Sequence, residues 1–195
     1  MAILTTLKKR KRLLTLSLLS ATALSALGVA LVGPALPVTG SGTFCLAKNT
    51  GLALTGTQGA AEKEGCVALP GKGNLSMDLM SGEIPLKGGM RLSAGGHRLD
   101  VTGLRIRVPS RTTTADIAVD GGARSSVTFL TYGISPSHVT VDHQAARARA
   151  MNLKLAEPAG AAFRKAFPAA HVAPGGDLFV FDGSAAFTPG GVPAP

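Results

Sequence analysis

Four side chains of this 195-residue chain stand close enough in sequence to act on one ligand, namely Tyr132, His138, Asp142 and His143. Three of them, the two histidines and the aspartate, could bind a metal ion, since imidazole and carboxylate are ordinary ligands of zinc and related cations. The five-residue separation of the histidines is not a diagnostic spacing, however, and no further carboxylate follows until Glu157, so a solvated loop is the default reading. Arg105 and Arg107 would project from one face of a strand, either to hold an anion or to form the wet side of an edge or sandwich strand. Cys45 and Cys66 are the only two cysteines, and neither has a histidine nearby. In an oxidising compartment such an isolated pair is most simply a disulfide, which for a loop of this size contributes on the order of 3 kcal/mol. After residue 32 there is no G-x-S-x-G elbow, Gly-rich phosphate loop, H-E-x-x-H or paired C-x-x-C. The sequence therefore points away from an enzyme.

The elements that must position these residues begin with a targeting segment. The net charge is +9, but five positive charges sit together at Lys8, Lys9, Arg10, Lys11 and Arg12, leaving +4 for the rest of the chain. With no Trp and a single Tyr to stack on bases, nucleic acid is excluded as the expected partner. Leu13 to Val32 contains no charged residue. As a helix it would extend roughly 30 Å, enough to cross a bilayer core. Basic residues ahead of an apolar run fit both a membrane anchor and a cleaved signal, and either delivers the rest of the chain to the outside. The expected location is therefore the cell membrane with the C-terminal domain outside, or secretion, and the expected partner of an uncleaved leader is the membrane itself. Within Gly33 to Gly42, which reads as a linker, Leu36-Pro37-Val38-Thr39-Gly40 spells a sortase-like pentapeptide. Its order relative to the apolar run is the reverse of a wall-sorting signal, so it reads as chance.

The remaining 45% hydrophobic chain suits one compact domain, expected over residues 43–187 with a disordered tail at 188–195. Its dominant period is two. Leu99 and Val101, then Leu104, Ile106 and Val108, alternate with polar residues, and Gly103 between the two sets predicts a bulge that keeps both on one core. Further strands are expected at Thr113 to Val119, Ser125 to Tyr132, Val139 to Val141, Arg149 to Leu155 and Leu178 to Phe187, with turns between them. One short helix is expected from Glu157 to Phe167, with Pro158 in its first turn, Phe163 and Phe167 stacked at i, i+4, and Pro168 ending it. Short strands without βαβ alternation predict a mainly β fold, an antiparallel sandwich or partly open barrel.

The stretch Gly88-Gly89-Met90-Arg91-Leu92-Ser93-Ala94-Gly95-Gly96-His97-Arg98-Leu99-Asp100-Val101 resembles the central strand pair of the haem-transport-associated (HtaA-type) domain of actinobacterial surface proteins. There, a strand ending in Gly-His leads into a Leu-Asp-hydrophobic strand. Asp116 to Gly121 resembles the family's next strand and turn, and Met151 to Phe163 its late strand and helix. The likeness covers Gly88 to about Phe187, roughly half the chain. It implies a secreted or membrane-anchored, non-enzymatic β-domain that binds haem or another envelope protein. The family's iron ligand is a tyrosine of an N-terminal aromatic motif, supported by the histidine of the Gly-His strand. His97 matches that histidine. No tyrosine matches the ligand, because Phe44 is the only aromatic residue after the leader and before Phe129, and a phenyl ring cannot ligate iron. His97 and Tyr132 remain as candidate ligand-binding residues, with haem as the possible cofactor. The other readings are a structural cell-envelope module with no small-molecule ligand, and a small secreted hydrolase.

Overall fold

The computed structural model describes residues 33–188, which belong to one compact unit, Val32–Pro195. The expected leader and apolar run at 1–32, and the tail beyond Thr188, lie outside the described residues. Among residues 33–188, which are the described ones, no helix is long and apolar enough to cross a membrane.

Twelve strands and one helix follow in chain order: β1 Leu36–Leu46, β2 Ala53–Thr57, β3 Ala61–Lys63, β4 Cys66–Leu75, β5 Gly82–Pro85, β6 Gly89–Ala94, β7 His97–Arg107, β8 Thr112–Val119, β9 Ser125–Tyr132, β10 Val139–Val141, β11 Ala145–Leu155, α1 Glu157–Ala166 and β12 Asp177–Phe187. Eight of the strands close on themselves in the order β7, β5, β4, β1, β12, β11, β9, β8, with β8 pairing back to β7. The ladders are antiparallel throughout. Strand β7 is long enough to serve two partners on one edge, β5 along its last residues and β6 along its first. From β6 the sheet continues outward to β2, while β3 and β10 flank β4 and β11. The mainly β architecture with one short helix is thus the expected one, with the barrel closed rather than partly open.

Period-two alternation explains the well-marked strands. On β7, Leu99, Val101 and Leu104 are fully buried while Arg105 and Arg107 are exposed. The expected bulge is present: Gly103 has φ +59°, and the pairing of β7 with β8 shifts register between Thr102 and Arg105. Helix α1 carries Pro158 in its first turn, Glu157 at the positive end of its dipole, and Arg164 and Lys165 at the negative end. It buries Ala159, Phe163 and Ala166 against β9, β7 and β8. Phe163 meets Phe167 edge to face at 5.3 Å.

One boundary differs from expectation. Residues 33–42 are not a linker, because β1 begins at Leu36 on β4 and is paired on both sides from Val38, which faces Gly73 of β4 and Phe187 of β12. Pro37, Gly40 and Gly42 give the segment a linker-like composition, yet Gly40 is there for the close approach of β12 and Gly42 for the Phe181 ring. The segment between the cysteines also holds more structure than its glycines suggest, namely β2 and β3. The expected disulfide is formed: Cys45 and Cys66 are direct cross-strand partners on β1 and β4, and their sulfurs are bonded.

Candidate ligand-binding cleft

The eight-stranded ring is unevenly filled. On one wall, four adjacent strands turn small residues inward: Gly71 from β4, Gly40 and Gly42 from β1, Gly183 and Ala185 from β12, Ala146 and Ala148 from β11. The rest of the lining is larger: Ile84, Leu86, Ile106, Val108 and Tyr132 from the other strands and their connections, and Met151 and Leu153 farther along β11. Between them runs an apolar cleft with about 100 Å³ of space clear of its walls, room for roughly seven to ten water-sized groups. Buried Phe44, Leu86 and Leu153 form its inner end, and half-buried Leu79, Ile134 and Val139 its outer end. Phe181 lies across the glycine pair Gly42 and Gly183, so that a Cβ on Gly42 would come within 2.5 Å of the ring. The ring shields the bare backbone there.

The two candidate ligand-binding residues fall at opposite ends of the molecule. Tyr132 ends β9 and lines the cleft; its hydroxyl donates to the carbonyl of Arg107, the last residue of β7, at 3.0 Å. Burial pushes its phenol above the ordinary value, with Arg111 pulling weakly the other way. It is therefore a neutral donor already committed to the backbone, a poor source of phenolate. His97 is the first residue of β7, on the order of 30 Å away along an eleven-residue strand. It is exposed, and its Nδ1 lies 3.0 Å from a carboxylate oxygen of Asp120. The His97 bond and the backbone N–H of Arg98 hold the Asp120 carboxyl below its usual range. With Nδ1 so engaged on a half-exposed side chain, the ring has the arrangement in which a carboxylate orients a ligating histidine.

Among the described residues no group of three metal-ligating side chains converges. The expected candidates separate: His138 Nδ1 donates to the carbonyl of Arg149 at 3.1 Å, whereas Asp142 accepts from the backbone N–H groups of Gln144 and Ala145 and from Arg147. Asp142 is a turn residue, its carboxyl lowered to about 2 by Arg147 first and the two N–H bonds next. Arg105 and Arg107 both reach the Glu83 carboxylate, each at 3.2 Å, from the exposed face of β7.

The outer end of the cleft is fastened by the loop between β4 and β5. Asp78 accepts from the Ser76 hydroxyl at 2.5 Å, the Met80 N–H at 3.0 Å and the Gly33 N–H at 2.9 Å. These bonds, the Ser76 hydroxyl above all, lower its carboxyl to about 2. Because the folded-state value is depressed, the fastening is complete above the ordinary carboxylate range and is lost as pH falls from about 4 toward about 2. Hydrogen exchange should show the protection factors of residues 77–81 falling over that interval, and Asp78→Asn should lower them already at neutral pH. Constant protection down to pH 2 would count against this role.

The cleft itself is not legible in the sequence as a site, since its signal is an absence of side chains at inward positions of four strands. No family model matches the chain, and no curated protein matches it. Solved structures do. The C-terminal domain of HtaA from Corynebacterium glutamicum is similar at a TM-score of 0.55 and 15% identity, covering 78% of this chain and 99% of that one. The N-terminal domain of the same protein is similar at a TM-score of 0.55 and 12% identity, covering 77% and 97%. At that sequence distance the likeness speaks for architecture, and it runs the length of each domain: the chain has the fold of a divergent HtaA-like domain.

Proposed function

We propose that this chain is an exported, non-enzymatic binding domain, delivered to the outer face of the membrane by residues 1–32, which holds a slim apolar ligand in the cleft of its β-ring. The observation that supports this reading is the cleft, walled by small and apolar side chains at the mouth of a closed barrel, a common place for ligands. Among the described residues no buried side-chain nitrogen or oxygen lacks a partner, so the cleft asks for no polar ligand group. The chain offers its own reporter, with one tyrosine and no tryptophan, and that tyrosine lines the cleft. Rod-shaped diphenylhexatriene, entering by one phenyl end, should therefore be excited by energy transfer from Tyr132. Ala148→Phe, which places a ring in the cleft, should remove most of that signal. Equal transfer in both proteins would sink the reading.

Haem, the ligand implied by the resemblance to haem-transport-associated domains, fits the cleft poorly. A tetrapyrrole has several times the atoms that the space admits, and the Tyr132 hydroxyl is committed to Arg107. The residue that suits iron is His97, whose Asp120 partner leaves Nε2 free. Around it the described residues offer no exposed apolar platform, because the two large exposed hydrophobic residues among them, Met77 and Met80, belong to the β4–β5 loop. Any Soret band formed with hemin is thus expected to be lost in His97→Ala and retained in Tyr132→Phe. The reverse pattern would place the haem in the cleft.

A further inference from the structure

We infer that the occupant of the cleft is the end of an acyl chain of a membrane lipid, taken up from the bilayer against which the domain is tethered; this rests on the cleft reading above. The first ground is shape and chemistry. The cleft is small, about 100 Å³, and its lining is almost wholly hydrocarbon and bare backbone. A single hydrocarbon tail matches both properties, since each methylene moved out of water improves affinity about fourfold without requiring a donor or acceptor.

The second ground is where the cleft opens. Its outer end is formed by Leu79, and the loop that carries Leu79 is bonded through Asp78 to Gly33. Gly33 directly follows the uncharged run Leu13 to Val32. The chain also leaves the barrel at this end, where the Thr188 N–H donates to the Pro37 carbonyl. A mouth tied to residue 33 stays within reach of any bilayer that the run occupies. The third ground is the same loop's exposed side chains. Met77 and Met80 are 40% and 60% exposed, the large hydrophobic residues left uncovered among the described ones. Flexible thioethers at a rim suit contact with a fluid apolar phase. His97 and its polar surroundings sit at the far end.

Other occupants fit less well. Residues 189–195 offer Val192 as their one branched apolar side chain, and a helix about 10–12 Å across is too bulky for about 100 Å³ of space.

The test uses the full chain in phosphatidylglycerol vesicles containing a phosphatidylcholine with a photoactivatable group near the end of one acyl chain. After illumination, label is expected on the peptide Ala150–Lys154, which carries Met151 and Leu153 of the cleft, as well as on residues 13–32. Ala148→Phe, and independently Val139→Trp at the outer end, should each reduce the Ala150–Lys154 label at least fivefold while leaving that on residues 13–32 unchanged. Label confined to residues 13–32, or cleft label indifferent to both variants, overturns the inference. If diphenylhexatriene still reports on Tyr132 in that event, the cleft reading stands and only the lipid source falls. If neither signal appears, both fall together.

Discussion

Phe44→Ala is expected to lower the melting temperature of the domain by roughly 6–20 °C. The ring is fully buried, and it meets Phe179 at 5.8 Å and Phe181 at 5.0 Å, both edge to face. Truncating a buried Phe costs about 3–5 kcal/mol, part transfer and part residual cavity. For a domain of this size each kcal/mol corresponds to about 2–4 °C. The upper part of the range is the more relevant here. Phe44 separates the main core from the inner end of the cleft, so its loss would join a new void to an existing one instead of letting neighbours collapse inward. The same change should enlarge the cleft and strengthen energy transfer to diphenylhexatriene per folded molecule. Thermal unfolding followed by far-ultraviolet circular dichroism measures the first effect, with half-buried Phe187→Ala as the milder comparison. A drop no larger than that of Phe187→Ala would show that Phe44 does not divide core from cleft.

The aromatic economy of the chain makes this ring matter more than one ring usually does. Its seven Phe and one Tyr are almost all spent on the interior: Phe44, Phe129, Phe163, Phe167, Phe179, Phe181 and Tyr132 join one buried cluster. A low aromatic count speaks against nucleic acid in the sequence, and in the structure it leaves no exposed aromatic surface beside His97 on which a porphyrin face could stack.

How much of the fold is legible in the sequence depends on the strength of its alternation. Strands β9 and β10 have the expected bounds, although β9 buries adjacent Phe129 and Leu130 where its pairing with β8 shifts register, and Gly103 marks the bulge in β7 because two apolar series of opposite parity meet there. The helix is readable from Pro158 and the Phe163, Phe167 pair. The first third of the domain is not. On β1 the inward series is Val38, Gly40, Gly42, Phe44, and on β4 it is Val67, Leu69, Gly71, Gly73, Leu75. Glycines at core positions erase the apolar half of the pattern, so a paired central strand takes on the composition of a linker. For the site the limit is different in kind. Tyr132 is visible as a candidate and lines the cleft, while only a family likeness singles out His97 beside it. It takes the pairing of β7 along its whole length to show that His97 and Tyr132 mark its two ends.

Gly40→Ala draws these points together, because two general rules assign it opposite signs. Gly40 does not have a positive φ, and at such a position adding a methyl group ordinarily stabilises by about 0.4–1 kcal/mol through the unfolded chain. Here a Cβ would collide with the Ser184 carbonyl oxygen and come within 2.8 Å of the Ala185 Cα. Both obstacles are backbone, so no side chain can swing aside. Strand β1 would have to move off β12, disturbing a ladder that runs from Val38 with Phe187 to Leu46 with Phe179. The expected cost exceeds the ~1–3 kcal/mol of ordinary overpacking, a melting temperature lower by at least roughly 6 °C. The neighbouring exposed Thr39→Ala should stay within about 0.5 kcal/mol of the parent. A neutral or stabilised Gly40→Ala protein would mean that β1 and β12 do not approach so closely. The sortase-like pentapeptide Leu36 to Gly40 then has a structural explanation: its glycine is required by the strand beside it, and the pentapeptide lies within a strand hydrogen-bonded on both sides.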